Sequence, residues 1–228
     1  KFSAYVERII AIPEGVDPSK ITTGVILNSD GTFSHVPTVI TMIDGKYYAK
    51  INSLTNSVYS VIYSPKTFKD VKNHWAEKDV NDMASRLIIS GVGNDLFEPE
   101  RSITRAEFSA VMVRALGLRP EEYKNDFFDV KAGEWYSEYI STLSYYGLVR
   151  GYDDRTFKPD GNITRQEAMA ILARAMDTTK LGEELEIDAS HILAVFNDNA
   201  DVSGWAKDSV SKCVKAGVVT GRDNSRIA

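Results

Sequence analysis

The sequence predicts a mainly α-helical fold built from repeated helix–loop–helix units and preceded by a small antiparallel β domain. Three observations support this prediction. The tetrapeptide Thr-Arg-Ala-Glu at 104–107 returns sixty positions later as Thr-Arg-Gln-Glu at 164–167. From residue 68 onward, apolar residues recur with the spacing of an amphipathic helix. The first 64 residues instead alternate short apolar runs with turn sequences, as β-strands and hairpins do.

Residues 1–64 are predicted to form a small antiparallel β domain. Five runs rich in β-branched and aromatic residues mark the expected strands, at 2–12, 25–27, 39–43, 47–51 and 58–63. The dipeptide Asp44-Gly45 between two of these runs is a strong β-hairpin signal. Because so few strands bury little apolar surface, we expect them either to form a small sandwich or to pack on a partner that this chain lacks.

Three tryptophans mark three copies of one motif. A glycine follows each of them sixteen residues later, in the pairs Trp75–Gly91, Trp135–Gly151 and Trp205–Gly221. Such self-similarity at a long period predicts units that bury their apolar faces against one another. The interval between tryptophans grows from sixty to seventy residues, and the extra residues lie between 177 and 198. There, residues 189–196 are expected to add a short helix.

Each copy is predicted to be a helix, a turn-rich loop and a second helix. In the first copy, apolar residues at helical spacing run from Val80 to Ile88 and from Phe108 to Leu116, where Gly117 stops the second helix. The predicted units are a first repeat at 66–118, a second repeat at 125–177, and a linker with a truncated third repeat at 178–228.

Composition argues against several classes of function. The formal net charge of −5 and the pI near 5.3 argue against nucleic-acid binding, which needs a basic face. No run approaches roughly eighteen apolar residues, so we expect no membrane insertion. The chain starts without an initiator methionine or a signal peptide, which suggests a piece of a longer polypeptide. The single cysteine, Cys213, excludes an internal disulfide, and its apolar neighbours predict a buried structural thiol.

Two residues of the repeated tetrapeptide predict helix capping. Thr104 with Glu107, and Thr164 with Glu167, have the spacing of a capping box. In this arrangement the threonine hydroxyl accepts from the backbone of the glutamate, and the glutamate reaches back to the backbone of the threonine. We expect these four residues to set the start of each second helix and to affect a ligand only indirectly.

The arginine between them has a different chemistry. Arg105 and Arg165 fall in the first helical turn, where the helix dipole makes a cation mildly unfavourable and capping does not need one. A guanidinium beside free N–H groups is suited to bind a carboxylate or a phosphate. The residues alone leave two roles open, and binding of such an anion is the first. The alternative is an ion pair within the protein, with Asp70, Asp129 or another acidic residue of a loop.

The tryptophans and glycines of the motif admit simpler interpretations. One tryptophan opens the first helix of each copy, at Trp75, Trp135 and Trp205. A tryptophan at a helix start commonly packs between neighbouring elements, although an exposed indole can also stack on a sugar. The glycine sixteen residues later is interpreted as a helix C-terminal residue with positive φ.

The sequence contains no catalytic constellation. His35, His74 and His191 lack the spacing of a metal site, and the loop aspartates do not fit a calcium-binding EF-hand. Neither a nucleophilic triad nor the paired carboxylates of a glycosidase is indicated. We therefore expect no enzymatic activity, no cofactor and no bound metal.

These repeated residues resemble the S-layer homology (SLH) family over roughly residues 66 to 228. The first copy matches in Phe68-Lys69-Asp70-Val71, His74-Trp75-Ala76, Ile89-Ser90-Gly91, Phe97-Glu98-Pro99 and Ile103-Thr104-Arg105-Ala106-Glu107. The second matches at 128–130, 135–136, 149–152, 157–159 and 163–167. The third matches at 196–198, 205–206 and 217–221.

The resemblance implies a fold and a function. Three such motifs usually assemble into a pseudo-threefold helical bundle that anchors secreted bacterial proteins to secondary cell-wall polysaccharide. This polymer typically carries a ketal-linked pyruvate, whose carboxylate the repeated arginines would hold in grooves between adjacent motifs. With this resemblance, we expect the contribution of the two arginines to folding to be secondary. The matching ligand-binding positions are Arg105, Arg165, Gly91, Gly151, Asp70, Asp129, Trp75, Trp135 and Trp205.

Three departures from the family pattern have consequences. Leu87 stands where the other copies have Gly147 and Gly217, so the first helix is expected to end differently. Gln166 replaces the usual alanine, which is a mild change on an exposed turn. The third copy ends before its second helix and its arginine, which leaves a groove that a second chain could complete by self-association.

The predicted function is a non-catalytic module that anchors a larger protein at the extracellular surface of a bacterium by binding wall polysaccharide. Residues 1–64 also resemble the β region that often precedes these motifs in large secreted glycoside hydrolases, through 12–17 and 56–59. The alternative is a protein–protein or S-layer lattice scaffold that does not bind glycan directly.

Overall fold

The computed structural model describes residues 4–180, 188–222 and 225–227. The prediction of a mainly α-helical fold arranged as a pseudo-threefold bundle is wrong, because 32% of the chain is helical and 18% is strand, with two antiparallel sheets. The reason lies in the loops. Nineteen residues, 86–104 and 146–164, separate the two helices of each complete copy, and those helices are only 9 to 14 residues long.

The N-terminal region forms two three-stranded antiparallel sheets, with strand orders β1-β5-β4 and β3-β2-β6. The strands are β1 Val6–Ala11, β2 Thr23–Leu27, β3 Phe33–Val36, β4 Thr38–Ile43, β5 Lys46–Ser53 and β6 Tyr59–Ile62. The strand β3 was not predicted, because its four residues contain a histidine and a serine and are too short to show a pattern. The first residues of the predicted run 2–12 lie outside the described residues.

The sandwich alternative is confirmed by the core of these sheets. Val25 and Val36 of one sheet and Ala49 and Ile51 of the other are all fully buried. A Cβ on Gly24 in β2 would lie 3.1 Å from the side chain of Ile51, so the two sheets pack closely there. The hairpin signal is also confirmed. Asp44 and Gly45 join β4 to β5 with φ of 49° and 77°, the two positive values that a type I′ turn needs.

Six α-helices follow in the described part of the chain. They are α1 Glu77–Ser85, α2 Arg105–Ala115, α3 Ser137–Tyr145, α4 Arg165–Thr178, α5 Ala189–Leu193 and α6 Lys207–Lys215. The helix α5 confirms the short helix expected between the second and third copies, although residues 181–187 of that segment lie outside the described residues. None of the helices that the structure describes has the length and apolar character needed to cross a bilayer.

The chain divides into two compact units. The first holds the six strands, α1 and residues 109–122, and the second holds residues 103–108 and everything from residue 123 onward. In the second unit, α4, α5 and α6 enclose one apolar core. Cys213 is fully buried in this core and its thiol donates to the Met169 carbonyl oxygen at 3.3 Å. This burial confirms the prediction of a buried structural thiol, and it raises the pKa of the thiol to about 11.

Leu87 ends its helix as a glycine would, so the expectation of a different ending is wrong. Its φ is 64°, against 69° for Gly147 and 67° for Gly217. The N–H groups of Leu87 and Ile88 bond to the carbonyls of Ala84 and Met83 in the pattern that the other two copies share. The repeated hydrogen bonds therefore hold a side-chain-bearing residue in the left-handed region.

The repeated glycines Gly91 and Gly151 do not have positive φ, so their interpretation as helix-ending residues is also wrong. Close packing explains them instead. A Cβ on Gly91 would lie 2.5 Å from the ring of Phe68, and one on Gly151 would lie 2.5 Å from the ring of Phe127. Each glycine is required because an aromatic ring presses against its backbone.

Candidate functional site

An aspartate holds the loop of each copy. The carboxylate of Asp129 accepts from the N–H groups of Phe157 and Lys158 at 2.8 and 2.7 Å. Asp70 binds its own loop in the same way, through the N–H groups of residues 97 and 98. Asp198 repeats the contact at Ile227, whose N–H lies 2.9 Å from the carboxylate. Loop residues at the same offset after each tryptophan are thereby fixed in all three copies.

Arg105 is buried, and its side chain holds the loop of the second copy. Only 5% of the residue is exposed. Its Nε donates to the Phe157 carbonyl at 2.7 Å, and its Nη1 lies 2.9 Å from Glu167 Oε1. Its Nη2 reaches the Arg150 carbonyl at 3.5 Å, and the rings of Phe157 and Tyr152 lie 4.6 and 4.9 Å from the guanidinium carbon. The partner acid is thus Glu167, and neither Asp70 nor Asp129 takes that role.

Arg165 makes the equivalent contacts one copy later. Its Nε donates to the Ile227 carbonyl at 3.0 Å and its Nη2 to the Thr220 carbonyl at 2.6 Å. Ile227 and Thr220 stand at the same offsets from Trp205 as Phe157 and Arg150 do from Trp135. Burial, followed by the charge of Arg222, lowers the pKa of Arg165. The repeated arginine therefore joins each copy to the loop of the next.

Glu167 connects this arginine contact to the start of α4. It forms the capping box with Thr164, and its Oε1 also accepts from the Tyr152 hydroxyl at 2.8 Å. Thr104 and Glu107 make the same pair of hydrogen bonds at the start of α2. Burial acts to raise the pKa of Glu167, but hydrogen bonds from Thr164 and Tyr152 and the charge of Arg105 outweigh it and lower this pKa. Glu167 is therefore held as a carboxylate.

A solvent-open groove with a cavity volume of about 390 Å³ adjoins this network. It lies wholly within the second unit. Its lining is Arg105, Arg150, Gly151, Tyr152, Asp153, Glu167, Ala170, Ile171, Arg174 and Trp205. We call it the Arg105–Trp205 groove. It brings together residues of all three copies, because Arg105 comes from the first, the 150–153 loop and α4 from the second, and Trp205 from the third.

Only part of the predicted site lines this groove. Arg105, Gly151 and Trp205 do so, together with the capping residue Glu167. The other predicted positions of the second unit, Asp129, Trp135 and Arg165, lie outside its lining. The remaining ligand positions, Gly91, Asp70 and Trp75, belong to the first unit.

The three tryptophans are exposed, which disfavours the packing interpretation and leaves stacking on a sugar as a prediction. Trp75 is 87% exposed, Trp135 55% and Trp205 60%. An exposed indole offers a flat face on which a sugar ring can stack. Of the three, Trp205 is the one that lines the groove.

The sequence analysis missed several groove residues, most importantly Arg150, Tyr152 and Arg174. One of them carried a usable signal, because Arg174 lies sixty positions after Arg114 and so belongs to the repeat. Arg150 carried a weaker one, since the other copies have serine or threonine at its position, directly before the repeated glycine.

Positive charge exceeds negative charge in the groove lining, which holds three arginines and two acids. Glu167 is already paired with Arg105. Arg174 donates to the Leu148 carbonyl at 3.0 Å, and burial followed by the charge of Arg150 lowers its pKa. Within the described ranges, no three His, Cys, Asp or Glu side chains come together as metal ligands would.

Comparison with known proteins matches two parts of the chain to one family. Residues 67–109 and 126–169 match the family model of the S-layer homology domain. An amylopullulanase of Thermoanaerobacterium thermosulfurigenes is 31% identical over 98% of this chain, which spans 12% of that protein. Exoglucanase XynX of Acetivibrio thermocellus is 34% identical over 77% of the chain and 16% of its own length. The cellulosome-anchoring protein of the same species is 30% identical over 83% of the chain and 44% of its own length. The chain therefore spans less than half of each of these relatives.

Proposed function

Residues 67–109 and 126–169 belong to the S-layer homology domain family, and from this premise we propose that the chain attaches a larger polypeptide to the cell wall by binding wall polysaccharide in the Arg105–Trp205 groove. The chain is a cell-surface anchoring module, and its place is the extracellular surface of a bacterium. Two of the relatives are named as enzymes, but the chain corresponds to only 12% and 16% of them. The proposal contains no catalytic step in this chain.

The proposal rests on one observation. An exposed indole and three guanidinium groups line the same groove. Trp205 offers a flat apolar face, 60% exposed, on which the C–H face of a sugar ring can stack. Arginine N–H groups and the Asp153 carboxylate line the same groove and can bond to sugar hydroxyls. The groove volume of about 390 Å³ lies in the range of small-ligand sites.

The excess positive charge of the lining favours an acidic glycan, and we propose a polymer that carries ketal-linked pyruvate. A charge-assisted hydrogen bond to the pyruvate carboxylate contributes about 1.5–3 kcal/mol. In this proposal Arg105 shapes the groove by fixing the loop at Phe157. A polymer presents many copies of the same sugar, so a released chain rebinds the next unit readily.

The test is binding to protein-free cell-wall sacculi, with two matched tryptophan variants. Trp205→Ala removes the indole that lines the groove, and Trp135→Ala removes one that is 55% exposed but lies outside the lining. We expect Trp205→Ala to weaken binding at least tenfold, which corresponds to about 1.4 kcal/mol. Trp135→Ala is expected to change it less than twofold.

Two results would contradict the proposal. Equal binding by both variants and the unmodified chain would show that the groove does not hold the polymer. Failure to bind sacculi, combined with binding to purified S-layer protein, would favour the scaffold alternative.

A further inference from the structure

We propose that Arg150 and Arg174 form an anion-binding subsite within the Arg105–Trp205 groove, and that this subsite, not Arg105, takes the acidic substituent of the bound sugar. The inference rests on the proposed function and identifies the residues that select an acidic ligand. The substituent is a carboxylate or a phosphate, since both suit paired guanidinium groups.

Arg105 has little capacity left for a ligand. Its Nε is taken by the Phe157 carbonyl and its Nη1 by Glu167, while Nη2 faces the Arg150 carbonyl. The Glu167 carboxylate already neutralises its charge at 2.9 Å. With 5% of the residue exposed, Arg105 presents little of its guanidinium group to a ligand.

The side chain of Arg150, unlike that of Arg105, is accessible to a ligand. Its side chain is exposed and lines the groove. Among the residues that the structure describes, no hydrogen bond or ion pair engages its guanidinium group. Its backbone is nevertheless fixed, because its carbonyl faces Arg105 and the next residue, Gly151, is packed against Phe127. A guanidinium on an anchored backbone is positioned to receive an anion.

Arg174 supplies the second cation. It is half-buried on α4, and one of its nitrogens is used by the Leu148 carbonyl. Burial and, as the second cause, the charge of Arg150 lower the pKa of Arg174. Two like charges that line one groove repel each other, and an anion bound between them would reverse that cost. Glu167 is paired with Arg105, so the remaining charged side chains of the lining are two arginines and Asp153, and positive charge is in excess.

The subsite belongs to the second copy alone. Arg114 in the first copy corresponds to Arg174, but Ser90 and Thr220 stand where the second copy has Arg150. The paired cations therefore occur once, beside Trp205, whose indole can stack on the sugar that carries the anion.

The test measures affinity for sacculi before and after removal of acidic substituents. Mild acid removes ketal-linked pyruvate and a phosphomonoesterase removes terminal phosphate, so the two treatments distinguish the sources. We compare the unmodified chain with Arg150→Ser, which installs the residue of the first copy. The matched control is Arg155→Ser, which makes the same charge change in the same loop outside the groove lining.

We expect one of the treatments to weaken binding of the unmodified chain at least tenfold. Arg150→Ser is expected to bind untreated sacculi with this weaker affinity and to be insensitive to the treatment, while Arg155→Ser behaves as the unmodified chain. If Arg150→Ser keeps the full response to treatment, or if neither treatment affects the unmodified chain, the subsite is refuted although the anchoring function stands. If the unmodified chain does not bind untreated sacculi, the anchoring function itself fails and the subsite with it.

Discussion

Arg105 and Asp129 hold the backbone of Phe157 from both sides: Arg105 Nε donates to its carbonyl at 2.7 Å, and Asp129 accepts from its N–H at 2.8 Å. The third copy repeats this arrangement at Ile227, between Arg165 and Asp198. The repeated arginine is therefore a structural link between successive copies. The expectation that its role in folding is secondary does not fit this geometry.

Replacing Arg105 with alanine should destabilise the protein. The change removes three hydrogen bonds and leaves the Glu167 carboxylate, which is 17% exposed, without its cation. Loss of one partner of a largely buried pair costs about 3–5 kcal/mol, and residual exposure of Glu167 reduces this to roughly 2–4 kcal/mol. Urea unfolding measures the change, with Arg155→Ala as an exposed control. An unfolding free energy within about 0.5 kcal/mol of the unmodified chain would contradict the structural role.

Leu87→Gly should stabilise the protein, because the backbone there adopts φ of 64°. A non-glycine residue in this region costs about 1–3 kcal/mol, which glycine avoids. Part of the gain is lost to the greater flexibility of glycine in the unfolded chain, so we expect a net gain of about 0.5–1 kcal/mol.

The matched reverse change is Gly147→Leu at the equivalent helix end of the second copy. It should lower the free energy of unfolding by at least about 1 kcal/mol. Both variants are compared by thermal and urea unfolding. A destabilised Leu87→Gly would mean that packing of the half-buried leucine side chain outweighs its backbone strain.

The contrast between residues that were predicted and those that were not has a physical origin. The Asp44-Gly45 turn and the Thr164–Glu167 capping box depend on contacts between residues close in sequence, so a short pattern specifies them. The partners of Arg105 are a glutamate and two backbone carbonyls more than forty residues away. Every residue has a backbone carbonyl, so no sequence pattern marks the one that accepts a hydrogen bond. Repetition therefore indicated that the arginine has a role, but it could not identify the partners of the arginine.

Contacts distant in sequence also explain why the role of the repeated glycine was not predicted. Repetition of Gly91 and Gly151 was visible, but their cause is an aromatic ring that packs against the backbone, and positive φ has no part in it. For Leu87 the opposite holds, because repeated hydrogen bonds impose the glycine conformation on a leucine. In both cases the repeat identified the position in the sequence. Only the tertiary contacts showed why that position needs glycine or adopts the conformation of glycine.

Gly151→Ala should damage both stability and binding. A methyl group there would lie 2.5 Å from the Phe127 ring and 2.6 Å from the Thr156 carbonyl oxygen, which is far inside van der Waals contact. Overpacking of this kind costs about 1–3 kcal/mol, and the shift it forces displaces the loop that lines the groove. The control is Gly204→Ala, where a Cβ meets nothing within 4 Å. Sacculus binding and urea unfolding test both effects, and equal behaviour of the two variants would contradict the packing explanation.

His35 should make the first unit sensitive to mild acid. Its ring is buried, with Nδ1 2.8 Å from the Thr23 hydroxyl. Burial, followed by the charge of Arg86, lowers its pKa from 6.5 to about 4. Between these values the unfolded chain binds a proton that the folded chain does not, so the free energy of unfolding is fully retained above pH 6.5 and falls as the pH drops toward 4. The loss of unfolding free energy approaches about 3 kcal/mol.

Urea unfolding of the unmodified chain and of His35→Gln, each at pH 7.5 and 4.5, isolates this contribution, because the glutamine variant cannot titrate. Identical losses in the two proteins between these pH values would show that His35 is not the group responsible.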